Sequence, residues 1–254
     1  MRALLRRTAT VSGVLAVLLM TTATGALAAP GDGTGVTIDV GGMADKPSTS
    51  LVTIIALTLL SLAPAILLSC TAFTKILVVL GLTRNALGLQ GTPPNQVLAG
   101  LALFLSLFIM APVLSAMNHT GVQPYLSGHL SAQKAYDKGI QPLKTFMLHN
   151  TDDDNLQLLD SVAKREAPAQ RADTPMATLV PAFVLSELKD AFVIGFIIFI
   201  PFLIIDVVVS GALMALGMMM MPPVVVSLPF KMLLFVLVDG WALIIKALVA
   251  SYGT

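Results

Sequence analysis

The sequence predicts an all-α polytopic membrane protein of long helical hairpins, with about four hydrophobic spans and a polar extracytoplasmic helical insert. Three observations predict it. Hydrophobic residues make up 56 % of the 254 residues and charged residues only 11 %, against about a quarter in soluble proteins. A water-soluble globule of this size has too little interior for so much apolar surface. The charges are also unevenly placed: seven lie within 1–50, two within 51–117, thirteen within 118–180 and seven within 181–254. Finally, several apolar runs exceed twenty residues, enough to cross a hydrocarbon core of about 30 Å. The net charge of +1 leaves no basic surface for nucleic acid. A single cysteine, Cys70, excludes an intrachain disulfide framework and a multi-cysteine metal cluster.

Residues 1–28 read as a secretory signal peptide. Arg2, Arg6 and Arg7 form the positive start, 11–20 an apolar segment too short to span, and Ala26-Leu27-Ala28 the small-x-small cleavage site. Residues 29–50, rich in Gly, Asp, Thr and Pro, read as a flexible tail. The first hydrophobic hairpin covers 51–117. Its first span, 51–73, contains Pro64, which should kink it; the helix has room to continue over 76–82 past Lys75. Gly88, Gly91, Pro93 and Pro94 make 84–96 a loop, and 97–117 is the second span.

The insert, 118–180, carries thirteen charges and His119, His129 and His149. One helix is predicted over 131–147. A second is predicted from Thr151-Asp152-Asp153-Asp154, which resembles a capping box with acids in the first turn, to about Glu166. A loop over 167–175 follows. The second hydrophobic hairpin covers 181–254. Within it, 191–221 has one charge, Asp206, and weak points at Pro201, Gly211 and Gly217. At about 1.5 Å per residue that run outgrows the bilayer core, so it must tilt, break or leave the lipid. Pro222-Pro223 ends it, and the final run, 224–250, carries Lys231, Asp239 and Lys246. With the signal removed and positive charge held inside, Lys75, Arg84 and the Met-Pro turn face the cytoplasm, while the insert and both ends face outward.

Catalytic patterns are missing. No G-x-S-x-G, H-E-x-x-H or Walker loop occurs, so no catalytic, cofactor-binding or metal residue and no enzyme activity is expected. The histidine spacing suits no zinc site. Ser210 has no histidine base in any span, and Asp206 and Asp239 lack the Gly-x-Gly-Asp setting of an intramembrane protease. What remains is Asp206, Lys231, Asp239 and Lys246, each costing about a few kcal/mol at a bilayer centre. They line a polar interior shared between subunits, or they snorkel at an interface. Lys231 and Asp239, eight residues apart, share a broad helical face. Met218, Met219, Met220 and Met221 precede the two prolines. Such thioethers can seal an irregular gap around an axis or merely fill space; composition alone favours filling.

Several runs resemble the FliP family of flagellar biosynthesis proteins. They are 181–196 (PAFVLSELKDAFVIGF), 201–206 (PFLIID) with the Met-Pro turn after it, and 228–241 (LPFKMLLFVLVDGW), with FTKI at 73–76, RNALG at 84–88 and TPPNQ at 92–96. The resemblance covers about 51–254 and departs at Val193, where the family usually carries a polar or basic residue. It implies a subunit of the flagellar type III protein export gate, forming part of the pore for unfolded flagellar proteins. The implied partners are further copies of the chain, two smaller membrane subunits, other export-apparatus proteins and the lipid of the cell membrane at the flagellar basal body; no cofactor is implied. The family turns Met218 to Met221 into pore-gate residues and lets its hairpins stand largely above the membrane plane. Glu187, Lys189 and Asp206 then pair across subunits, and together with Lys231 and Asp239 they are the inter-subunit or pore-lining polar residues. An injectisome export-gate subunit is the alternative. A small-solute secondary transporter is the more distant one, because no repeat relates 51–117 to 191–250.

Overall fold

The computed structural model describes residues 49–165, 168–218 and 220–253. The expected signal peptide, the tail up to residue 48, Glu166 and Met219 lie outside the described residues. Among the described residues the regular structure is helical throughout, and Thr53–Thr254 forms one compact unit.

Helix α1 (Thr49–Cys70) and helix α2 (Phe73–Ala86) meet at a sharp bend, with 77° between Pro64–Cys70 and Phe73–Ala86. The helix expected to kink at Pro64 passes through that residue and breaks instead at Thr71-Ala72. There the Thr71 hydroxyl donates to the Leu67 carbonyl at 2.6 Å and accepts the Phe73 N–H at 3.3 Å. A local side-chain partner for backbone groups is what stabilises such a break. Helix α2 then buries Ile76, Val79, Leu80 and Thr83, the three- and four-residue spacing of one helical face.

Helix α3 (Asn95–Met117) runs through Pro112 and continues by a π turn, Asn118–Val122, into the short helix α4 (Gln123–Leu126). The second span therefore outlasts its expected end and reaches Leu126. The single helix expected over 131–147 is two, α5 (Ala132–Gly139) and α6 (Gln141–His149). Pro142 sits in the first turn of α6, where its missing N–H costs nothing, whereas inside a continuous helix it would break the ladder. Helix α7 (Asp153–Val162) starts after Asp152. Asp152 makes no side-chain cap; its carboxylate bonds Lys189 instead, and the acids Asp153 and Asp154 in the first turn favour the positive end of the helix dipole. A 3₁₀ turn, Arg171–Asp173, interrupts the expected loop.

Helix α8 (Met176–Ala215) is 40 residues of unbroken helix through Pro181 and Pro201, about 60 Å long. It is twice the thickness of a bilayer core and does not break. Helix α9 (Pro223–Leu237) and helix α10 (Gly240–Ala250) differ in direction by 62°. The break is at Asp239, which has a left-handed backbone (φ 49°). Among the described residues two segments, Asn95–Leu126 and Met176–Ala215, are long and apolar enough to cross a membrane, and the two bent pairs raise the count to four if each is one span.

Two clusters hold the unit together. One joins Phe73, Ile76 and Leu80 of α2 to Ala191 and Phe202 of α8 and to Phe235, Ile244 and Leu248 of α9 and α10. The other, around Met110, Met147, Leu179 and Phe183, seats the insert on α3 and α8. Burial is lopsided along α8: eight of its ten buried residues lie between Thr178 and Gly195.

Candidate functional site

The α8–α9 hairpin ends in the methionine turn. Helix α8 stops in a Schellman motif: Gly217 has φ +74°, its N–H bonds the Met214 carbonyl at 3.1 Å, and the Met218 N–H bonds the Leu213 carbonyl at 2.9 Å. A left-handed residue there favours glycine, which has no Cβ to clash. Pro222, in extended backbone, and Pro223 in the first turn then start α9. The described methionines point outward: Met220 is 99 % exposed, and Met218 and Met221 are 43 % and 42 % exposed. Between Asp206 and Ser227, Leu213 is the only buried residue among those described. Three flexible thioethers thus cap a strip of uncovered apolar helix.

At the base of that strip sits an ion pair between a buried lysine and a partly buried aspartate. Lys231 Nζ, on α9, lies 2.6 Å from Asp206 Oδ2 on α8 and donates at 3.1 Å to the carbonyl of Ala86, the last residue of α2. The Ser227 hydroxyl donates to Asp206 Oδ1 at 2.6 Å. The lysine neutralises Asp206 and also satisfies a helix-end carbonyl, which carries the negative pole of the α2 dipole. Gly88, at φ +77°, lets the loop after α2 come close: a Cβ there would stand 3.4 Å from Val224.

A second buried cluster lies towards the insert. Lys75 Nζ is 2.8 Å from Glu187 Oε1 and 3.0 Å from Asp190 Oδ2, and it sits 4.3 Å from the centre of the Tyr252 ring. The Tyr252 hydroxyl donates to Glu187 Oε2, while its ring stacks on Phe146 of α6, centroids 5.8 Å apart. This one cluster therefore ties together α2, α6, α8 and the end of the chain. Nearby, the Ser186 hydroxyl accepts from the Asp152 N–H at 2.9 Å and from Asn155 at 2.8 Å. Lys189 bonds Asp152 at 2.7 Å on the surface. Arg171 pairs with Asp153 and donates to the Leu148 and Thr151 carbonyls.

Each of Glu187, Lys189, Asp206 and Lys231 thus finds an opposite charge within its own chain. Asp239 does not join them. The left-handed turn at Asp239 ends the face it was expected to share with Lys231, leaving Asp239 exposed and Lys231 buried. Lys246 is exposed. Val193 is 53 % exposed. His119 bonds Gln123 and His129 bonds Ser127, and among the described residues no group of His, Cys, Asp or Glu is arranged to hold a metal. Sequence reasoning missed Lys75, Asp190, Ser227 and Tyr252 as members of these clusters. The isolated charge of Lys75 in an apolar run was a signal; Tyr252 and Ser227 gave none.

Residues 56–248 match the model of the FliP family. Among curated proteins, the chain is 52 % identical over 208 residues to the flagellar biosynthetic protein FliP of Bacillus subtilis, covering 82 % of this chain and 94 % of that protein. It is 49 % identical to FliP of Cereibacter sphaeroides over 80 % of this chain and 67 % of that one. With FliP of Pectobacterium carotovorum it shares 50 % identity over 80 % of this chain and 79 % of that one.

Proposed function

This chain belongs to the FliP family, and from that premise we propose that it is a subunit of the flagellar type III protein export gate, with the methionine tip closing the pore. The relatives' shared name, flagellar biosynthetic protein, supports a role in building the flagellum rather than in a virulence apparatus. One structural observation carries the gating role: flexible thioethers stand exposed at the end of a hairpin whose flanks are apolar and uncovered. Isolated, such a surface is costly in water. It is at home when further copies, the two smaller gate subunits or lipid lie against it.

Arranged around an axis, the tips bring Met218 to Met221 together. An unbranched side chain that changes rotamer at little cost seals a hole of irregular outline and gives way to a passing chain. The chain's part is conduction and closure; it binds no nucleotide and transfers no group, and the energy comes from outside it. It works in the cytoplasmic membrane at the flagellar base.

Replacing Met218, Met219, Met220 and Met221 together with alanine tests this. The expected outcome is a membrane leaky to ions in cells that still export flagellar protein. Unchanged permeability, with the variant at normal level in assembled gates, removes the gating role. Loss of motility without loss of solute uptake on deleting the chain separates a gate from a transporter.

A further inference from the structure

The tip half of the α8–α9 hairpin has almost no burial of its own, since Leu213 is the only buried residue described between Asp206 and Ser227. Something else must set where the methionines stand. Aliphatic packing cannot do it alone: α8 is apolar along nearly its whole length, with one charge between 191 and 215, and apolar attraction is non-directional. A uniform greasy surface permits α9 to slide along α8 or rotate on it. Directional bonds do not. The bonds nearest the tip that join the two helices through side chains are those of Asp206, to Ser227 at 2.6 Å and to Lys231 at 2.6 Å.

We infer that Lys231, through Asp206 and the Ala86 carbonyl, is the positioning residue of the gate: it fixes the hairpin's register and angle against α2 and so sets the height and direction of the methionine tip. The inference rests on the gating role proposed above. Lys231 is suited to it because its three donors reach two helices at once, α8 through Asp206 and α2 through the orphan carbonyl of Ala86. A buried lysine paired in this way is weak as a source of stability and strong as a source of geometric choice, because every other register leaves its charge unpaired away from water. Gly88 belongs to the same joint, since its loop passes close to Val224 and Lys231.

The test compares K231M, D206N, S227A and K231R with the four-methionine-to-alanine variant, each in the full-length chain in flagellated cells. The readouts are ion permeability and the amount of chain in assembled gates. With all four methionines present, K231M and D206N are expected to leak as much as the alanine variant. S227A should leak less, and K231R, which keeps donors for both acceptors, should stay tight. Adding the alanines to K231M should raise the leak no further, because both act on one seal. If K231M and D206N stay tight while the alanine variant leaks, the positioning role is overturned and the gating role stands. If the alanine variant itself stays tight, the gating role falls. Should K231M fail to accumulate, D206N and S227A decide: tight gates at normal levels for both overturn the inference, and leaking gates support it.

Discussion

Single side chains in this protein matter most where a charge is buried. Lys75 faces Glu187 and Asp190 with almost no solvent contact. Lys75→Met leaves Glu187 buried without its cation, a loss of about 3–5 kcal/mol, and the expected result is a sharply lower unfolding temperature in detergent. Tyr252→Phe is a finer probe. It keeps the stack on Phe146 and the cation over the ring but removes the hydroxyl that donates to Glu187. A hydrogen bond to a charged group contributes about 1.5–3 kcal/mol, so a measurable but smaller drop in the same melt is expected. Equal melting temperatures for Tyr252→Phe and the parent chain argue against that bond.

Helices and turns give sharper contrasts, because backbone cannot move aside as a side chain can. At Gly121, in the π turn, an added Cβ would lie 2.7 Å from the Gly139 Cα and 2.9 Å from the Ala135 carbonyl oxygen. Gly121→Ala should therefore push α5 off the end of α3, costing about 1–3 kcal/mol. Gly81, inside α2, meets nothing within 4 Å, so Gly81→Ala should be neutral or stabilise by up to about 1 kcal/mol. Thermal melts of the two variants side by side check the pair; a Gly121→Ala chain as stable as Gly81→Ala contradicts the close helix contact. Gly217→Ala forces a Cβ into a left-handed turn at a cost of about 1–2 kcal/mol. Since the turn lies at the exposed tip, local rearrangement there relieves the strain without global unfolding, and the expected effect is an ion leak through the proposed gate with little change in the melt.

Across the whole molecule, Tyr252, just after α10, closes the structure. Tyr252 touches the insert through Phe146 and the apolar helices through Glu187 and Lys75. Removing residues 252–254 should loosen the insert from α8. Faster proteolytic cutting in the loop around Arg171, in full-length chain otherwise intact in lipid, is the expected sign; an unchanged cutting rate is the contrary one. The 40-residue α8 joins the two regions. Its first half is clasped by α2 and the insert, and its second half projects an uncovered apolar surface that ends at the methionines.

Much of this was legible in the residues. Composition and charge placement determine a helical membrane protein with a polar insert, because long uncharged runs have no other way to satisfy their backbone in lipid. Gly217 and Pro222-Pro223 determine a turn, because one frees a left-handed backbone and the others cannot continue a helix. The tip methionines and the isolated charges stand out for the same local reasons. Partners were not legible. Lys75 and Glu187 are 112 positions apart in the chain, Lys231 and Ala86 are 145, and no local rule couples them. The fold also decided that α8 stays whole through two prolines, that the first bend sits at Thr71-Ala72, and that Asp239 turns away from Lys231. Propensity states only what a segment tolerates; which tolerated shape is adopted depends on the neighbours that bury it, and those neighbours exist only once the chain has folded.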